Sequence, residues 1–127
     1  MPGGRGGRGG RGRRRRQRVM QFLQPCLLLM LTRGEAHGYS LLDGLEEFGF
    51  NLDRLDPSLV YRALRDMEEC GFVSSHWDDE SQGPRRRVYE ITQEGEECLT
   101  SWVTDLQRTR QEIDALIVAY EKIDGRR

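Results

Sequence analysis

Residues 56–91 constrain this chain more than any other stretch, because a bracketed helix and a strand pair follow one another there with little freedom for another arrangement. Asp56 is a good N-cap, and Pro57 suits a first helical position, where a missing amide proton costs nothing. Gly71 stands just past the expected end. Leu59, Val60, Ala63, Leu64 and Met67 recur at helical spacing on one face. Ser58, Tyr61, Arg62, Arg65 and Glu69 fill the opposite face, which is therefore hydroxylated, aromatic and cationic. Arg62 and Arg65, three residues apart, are neighbours on the helix surface. Beyond Gly71, the β-compatible run 72–77, the polar loop 78–84 and the run 85–91 read as a β-hairpin. Alternation by two places Arg87, Tyr89 and Ile91 on one face, with Tyr89 and Ile91 packing inward.

Two further helices precede this segment. Pro25 is expected to open the first, whose Leu27, Leu28 and Leu31 are flanked by apolar residues almost all round; such a helix is central to a core and should stop near Arg33-Gly34. The second is expected from about His37 to Glu47, with Leu41, Leu42 and Leu45 inward and a turn at Gly49. The order helix, helix, capped helix, hairpin is the plan of a winged helix-turn-helix domain, in which the third helix enters a DNA major groove and the hairpin touches the flanking backbone. Taken alone, the cationic face of the third helix reads as an ordinary solvated surface. Arginines clustered independently on that helix and on the hairpin favour DNA.

The last helix is expected over 93–122, capped by Thr92, and at 1.5 Å per residue spans roughly 45 Å, more than so small a domain needs for its own core. Leu99, Val103, Leu106, Arg110, Ile113, Ile117 and Tyr120 step alternately by four and three, an apolar seam broken once by Arg110. Trp102, Thr109 and Leu116 widen the stripe by a third row. The simplest partner for it is the same helix of a second chain, so Leu99, Trp102, Val103, Leu106, Ile113, Leu116, Ile117 and Tyr120 are expected at a homodimer interface. Attachment to a membrane surface is the competing reading. The polar side carries Glu96, Glu97, Asp105, Glu112 and Asp114, the wrong sign for anionic lipid.

The fold class is accordingly mainly α with a small β-hairpin (α+β): a winged helix-turn-helix domain over 19–92 and a dimerisation helix over 93–122. The Arg/Gly-rich tail 1–18 and the end 123–127 are expected to be disordered. At 127 residues the chain is one ordinary domain. Its net charge of −1 hides a division. Residues 1–18 carry eight arginines and no acid, while the rest holds twelve basic against 21 acidic residues. The tail reads either as a sequence-blind clamp on phosphates or as a solubilising leader. No apolar run reaches membrane-spanning length, and the Arg/Gly-rich start lacks the apolar stretch of a secretory signal. Cys26, Cys70 and Cys98 show no CxxC spacing and leave an odd thiol, which points to a reducing cytoplasm.

Several local patterns together resemble the PadR family of transcriptional regulators. They are His37-Gly38-Tyr39; Leu59-Val60-Tyr61-Arg62-Ala63-Leu64 leading to Met67-Glu68 and Gly71; Gly83-Pro84-Arg85-Arg86 with Tyr89; and Ile91-Thr92 with Glu94-Gly95. The likeness runs from about residue 24 to residue 122 and is strongest to small members with a single helix after the wing. It implies a homodimeric winged-helix repressor whose last helix packs across the partner, often against the partner's first helix. It also implies a pocket for flat aromatic molecules at the dimer centre, as in some small relatives. Met67 departs from a common leucine, a mild core exchange. Asp53 and Asp56 make the approach to the third helix acidic, so Asp56 is assigned to capping and not to DNA.

On this reading the protein is a sequence-specific regulator of transcription that binds double-stranded DNA at an inverted repeat as a homodimer. Arg62 and Arg65 are the candidates for base edges, since a guanidinium donates two hydrogen bonds to guanine O6 and N7. Ser58 and Tyr61 are assigned to phosphate or the groove wall, with a core-facing Tyr61 as the alternative. Arg85, Arg86 and Arg87 on the wing would grip the backbone, unless Arg87 instead faces acidic neighbours. His37 and Tyr39 read as structural, the three cysteines as packed small side chains, and a metal site at His76 and Asp78 as speculative. No phosphate-binding loop, carboxylate pair or nucleophile–base signature points to an enzyme, and no cofactor or metal is expected. The rival reading is a winged-helix module that binds protein or RNA without operator recognition.

Overall fold

The computed structural model describes residues 22–78 and 83–125; the tail 1–18, residues 19–21 of the expected domain, 79–82 of the hairpin loop and the last two residues lie outside the described residues. The described part of α1 covers 22–32, followed by β1 Ala36–His37, α2 Gly38–Gly44 with a 3-10 turn Leu45–Phe48, and α3 Pro57–Glu69. β2 Val73–Asp78, β3 Arg86–Ile91 and α4 Gln93–Asp124 complete the chain. α1 is already helical at Phe22, so Pro25 does not open it.

One core holds the three N-terminal helices together. Leu23, Leu27, Leu28 and Leu31 of α1 meet Leu41 and Leu45 and the inner face of α3, Val60, Ala63, Leu64 and Met67, all buried. The N-cap of α3 is the expected one: Asp56 accepts from the Ser58 amide at 3.0 Å, and Gly71 follows the helix in a left-handed conformation.

The sheet has three antiparallel strands in the order β1-β3-β2, one more than a simple hairpin. β1 is only two residues long and pairs Ala36 with Tyr89 and His37 with Val88. So short a strand has no periodicity of its own to read in the sequence. Register places Val73, Ser75 and Trp77 opposite Ile91, Tyr89 and Arg87 on the face toward the core, where Val73 and Tyr89 are buried. Val88 is buried as well, although it points to the other face. It lies on the central strand between His37 and His76, so neighbours on both sides cover it.

α4 is capped by Thr92, whose hydroxyl oxygen accepts from the Gly95 amide at 3.0 Å. Cys98, Leu99 and Trp102 pack partly on the core; from Val103 onward the helix projects away, and its 32 residues span about 48 Å. It runs two residues past the expected limit, so Ile123 and Asp124 are helical and do not belong to a disordered end.

Candidate nucleic-acid interface

The outer face of α3 and the wing lie side by side. Ser58, Tyr61, Arg62 and Arg65 are all exposed. Ser58 is bound into the cap, and its amide and hydroxyl, with the Arg62 guanidinium, hold the Asp56 carboxyl below its ordinary range. Tyr61 is 40% exposed, so it is not a core residue. One edge of its ring lies on the backbone of Gly38, where a Cβ would come within 2.6 Å of Tyr61 Cε1. Arg62 and Arg65 make no hydrogen bond or ion pair with any described residue; Arg62 lies within electrostatic reach of Asp56 and Arg65 of Tyr89.

Arg85, Arg86 and Arg87 are exposed on the wing, but none is a free chain. The Arg85 and Arg87 guanidinium carbons lie 5.7 and 4.7 Å from the centre of the Trp77 ring. Arg87 Nε also donates to Ser75 Oγ at 2.8 Å, and Ser75 Oγ donates to Glu68 Oε2 at 2.7 Å. Arg87 is thus linked to Glu68 of α3 through Ser75 and pairs directly with no acid among the described residues. Arg86 lies 5.0 Å over the Tyr39 ring and donates from Nη1 to Tyr39 Oη at 3.2 Å. Beneath them the buried Tyr89 phenol is pushed up from its ordinary pKa, chiefly by burial, with Arg87 opposing the shift and Glu68, Tyr61 and Arg65 also in electrostatic reach. Arg65 of α3 and Arg87 of the wing thus both lie within electrostatic reach of Tyr89, with Glu68 between the two elements.

The aromatic partners of these arginines were missed in the sequence. Trp77 is legible in principle, since it faces Arg87 once the hairpin register is known. Tyr39 carries no such signal, because its position depends on β1 bringing the start of α2 to the wing. Asp78 does not pair with His76: His37 Nε2 and Asp78 Oδ2 are 2.9 Å apart, and His76 is exposed. The cysteines differ from one another. Burial pushes the Cys26 thiol up to about 11; Cys98 is raised by burial and by nearby Cys70. Cys70 itself is exposed at the end of α3 and is not a packed side chain.

Residues 27–101, more than half of the chain, match the "Transcriptional regulator PadR-like family". The chain belongs to that family. A candidate transcriptional regulator from Thermoplasma acidophilum is 30% identical, with a TM-score of 0.68, covering 80% of this chain and 95% of that one. A PadR-like transcriptional regulator from Bacillus cereus is 25% identical, TM-score 0.68, covering 80% and 96%. A transcriptional regulator from Streptococcus is likewise 25% identical, TM-score 0.68, covering 79% and 96%. A search of curated proteins gave no match. As a member of the PadR-like family the protein is a DNA-binding transcriptional regulator and not an enzyme. Its α+β winged-helix fold is the one these regulators share. Among the described residues no helix is long and apolar enough to cross a membrane.

Proposed function

We propose that this PadR-like regulator is a cytoplasmic homodimeric repressor that reads an inverted-repeat operator, with α3 in successive major grooves and the wings on the flanking backbone. The observation that carries the reading is the open face of α3. Arg62 and Arg65 are exposed and make no hydrogen bond or ion pair with a described residue, and Arg65 shares the surroundings of Tyr89 with Arg87 of the wing. On this reading Arg62 and Arg65 meet base edges, Ser58 and Tyr61 the groove wall or phosphate, and Arg85, Arg86 and Arg87 the backbone.

The dimer is supported by an apolar surface too long to leave in water. Ile113, Leu116, Ile117 and Tyr120 are exposed along the outer part of α4, with Leu116 at 71%, and Val118 and Ile123 extend the apolar surface beyond the expected seam. Phe22 and Leu29, seven residues apart on one face of α1, are also exposed and offer a second apolar strip for a partner's α4. Leu99 and Trp102 pack partly on their own core and sit at the inner edge of the proposed interface. A flat aromatic effector held between the two subunits is part of the proposal, and a thermal-shift screen against such compounds tests it.

Selection of duplexes from a random-sequence pool by the full-length protein tests the reading as a whole. Enrichment of an inverted repeat with half-sites about one helical turn apart is expected. Binding without sequence enrichment, or a preference for RNA, refutes operator recognition and favours an interaction module.

A further inference from the structure

We infer that Tyr39 is a positioning residue for DNA binding: by holding the Arg86 guanidinium, it fixes the wing against the helix-turn-helix and presents Arg86 to the duplex in one attitude. The inference rests on the DNA-binding reading of the wing given above and names a residue which that reading leaves out.

Around Tyr39, three side-chain contacts link Arg86, Tyr39, His37 and Asp78, drawn from four elements, and strand pairing brings the two ends of that series together. Arg86, at the start of β3, has its guanidinium carbon 5.0 Å over the Tyr39 ring and donates to the Tyr39 hydroxyl oxygen. Tyr39, at the start of α2, stacks on His37 of β1, the rings 5.3 Å apart and 23° from parallel. His37 pairs with Asp78 at the end of β2, and Asp78 stands directly opposite Arg86 in the β2–β3 ladder. The far end of the wing is therefore tied back to the first turn of α2. Beside that tie, the two residue pairs of β1 with β3 and the His37–Asp78 hydrogen bond join this edge of the sheet to the helices before α3.

Stacking suits this role. A guanidinium laid on an aromatic face keeps its N–H groups in a plane whose outer edge remains free for bidentate contact with phosphate. A long side chain that is already ordered loses less freedom on binding than a mobile one. The half-exposed Tyr39 thus acts through Arg86; its hydroxyl oxygen is already accepting the Arg86 hydrogen bond.

A double-mutant cycle on the selected operator duplex tests the inference, using the full-length protein. Tyr39→Leu should weaken binding about fivefold, in the range of an exposed cation–π contact together with its hydrogen bond. Tyr39→Phe, which keeps the ring, should cost only about twofold. In an Arg86→Ala background neither change should weaken binding further. Tyr39→Leu should leave the salt dependence at its wild-type slope, because no charge is removed, whereas Arg86→Ala should lower the slope by about one contact. Equal losses from Tyr39→Leu with and without Arg86 overturn the inference, as does full wild-type affinity in either Tyr39→Leu or Arg86→Ala. Should Tyr39→Leu fail to fold, as judged by its melting curve, the Tyr39→Phe arm of the cycle decides in its place. Failure of the wild-type protein to select any duplex overturns the operator reading itself, an outcome distinct from all of these.

Discussion

Gly95, in the first turn of α4, lies so close against the carbonyl of Phe72 that no side chain fits between them. Two hydrogen bonds reinforce the junction: the Thr92 hydroxyl donates to the Gly71 carbonyl at 2.6 Å, and the Thr92 amide to the Phe72 carbonyl at 3.1 Å. The end of α3 and the start of α4 are thereby joined through a rigid corner. Gly95→Ala should force this corner apart and destabilise the fold by roughly 2–3 kcal/mol or more, as overpacking a close backbone contact does. A denaturant midpoint unchanged from wild type would show that the corner yields without cost.

The open arginines of α3 should separate specificity from general affinity. Arg65→Ala and Arg62→Ala are each expected to cost about 1–3 kcal/mol on the selected operator and to relax base preference at one position per half-site. Deleting residues 1–18 should instead lower affinity for all duplexes alike and reduce the salt slope. Competition binding with single-base operator variants reads both effects. Retained base preference in the two arginine variants would remove them from direct readout.

Assembly should depend on the outer half of α4. Ile117→Glu places a charge in the middle of the exposed apolar stripe and is expected to yield monomers at micromolar concentration that retain the helical content of the fold. Arg110→Leu mends the break in the seam and should tighten association. Sedimentation equilibrium distinguishes these outcomes; a wild-type protein that sediments as a monomer refutes the dimer.

Acid stability follows from two carboxylates held below their ordinary pKa, Asp56 by the Ser58 amide and Glu47 by hydrogen bonding with Arg33 at 2.8 Å. A carboxylate with a depressed folded pKa stabilises fully above its unfolded pKa, near 4, and loses that contribution as pH falls through the lower folded value. The melting temperature should therefore be insensitive to these two groups between pH 5 and 7, about one unit above the unfolded values, and decline below about pH 4. Asp56→Asn keeps a capping oxygen but removes one titration, so its decline should be shallower. Superimposable acid profiles of the two proteins would separate the cap from the acid transition.

Thiol reactivity should rank the cysteines by exposure and pKa. Cys70, exposed at the end of α3, should react first with a thiol-specific reagent at neutral pH. Cys26, pushed up to about 11 and half-buried in α1, should react last, and only as the fold opens. Mass mapping of partially labelled protein checks the order; early labelling of Cys26 contradicts its burial.

Local chemistry made much of this molecule legible before any coordinates. The Asp56 cap, the Pro57 start and the Gly71 stop act within a few residues, so α3 was readable, and with it the outward placement of Ser58, Arg62 and Arg65. The four-three stepping of α4 was readable for the same reason, as periodicity is a property of one helix. Val118 and Ile123 fell outside the reading because a seam describes only one face, and the end of α4 is apolar on more than one.

What the chain's order alone left undecided was every relation made across distance. β1 is a strand only because β3 runs beside it, and Val88 is buried only because it occupies the central strand. Tyr39 meets Arg86 across 47 positions, and Asp78 chooses His37 across 41 over His76 two residues away. Intrinsic preference and spacing act along the chain and specify the pieces with their polar and apolar faces. Which pieces touch is settled by packing, where burial and hydrogen-bond geometry from remote segments must be satisfied together, and that information exists only once the core has closed.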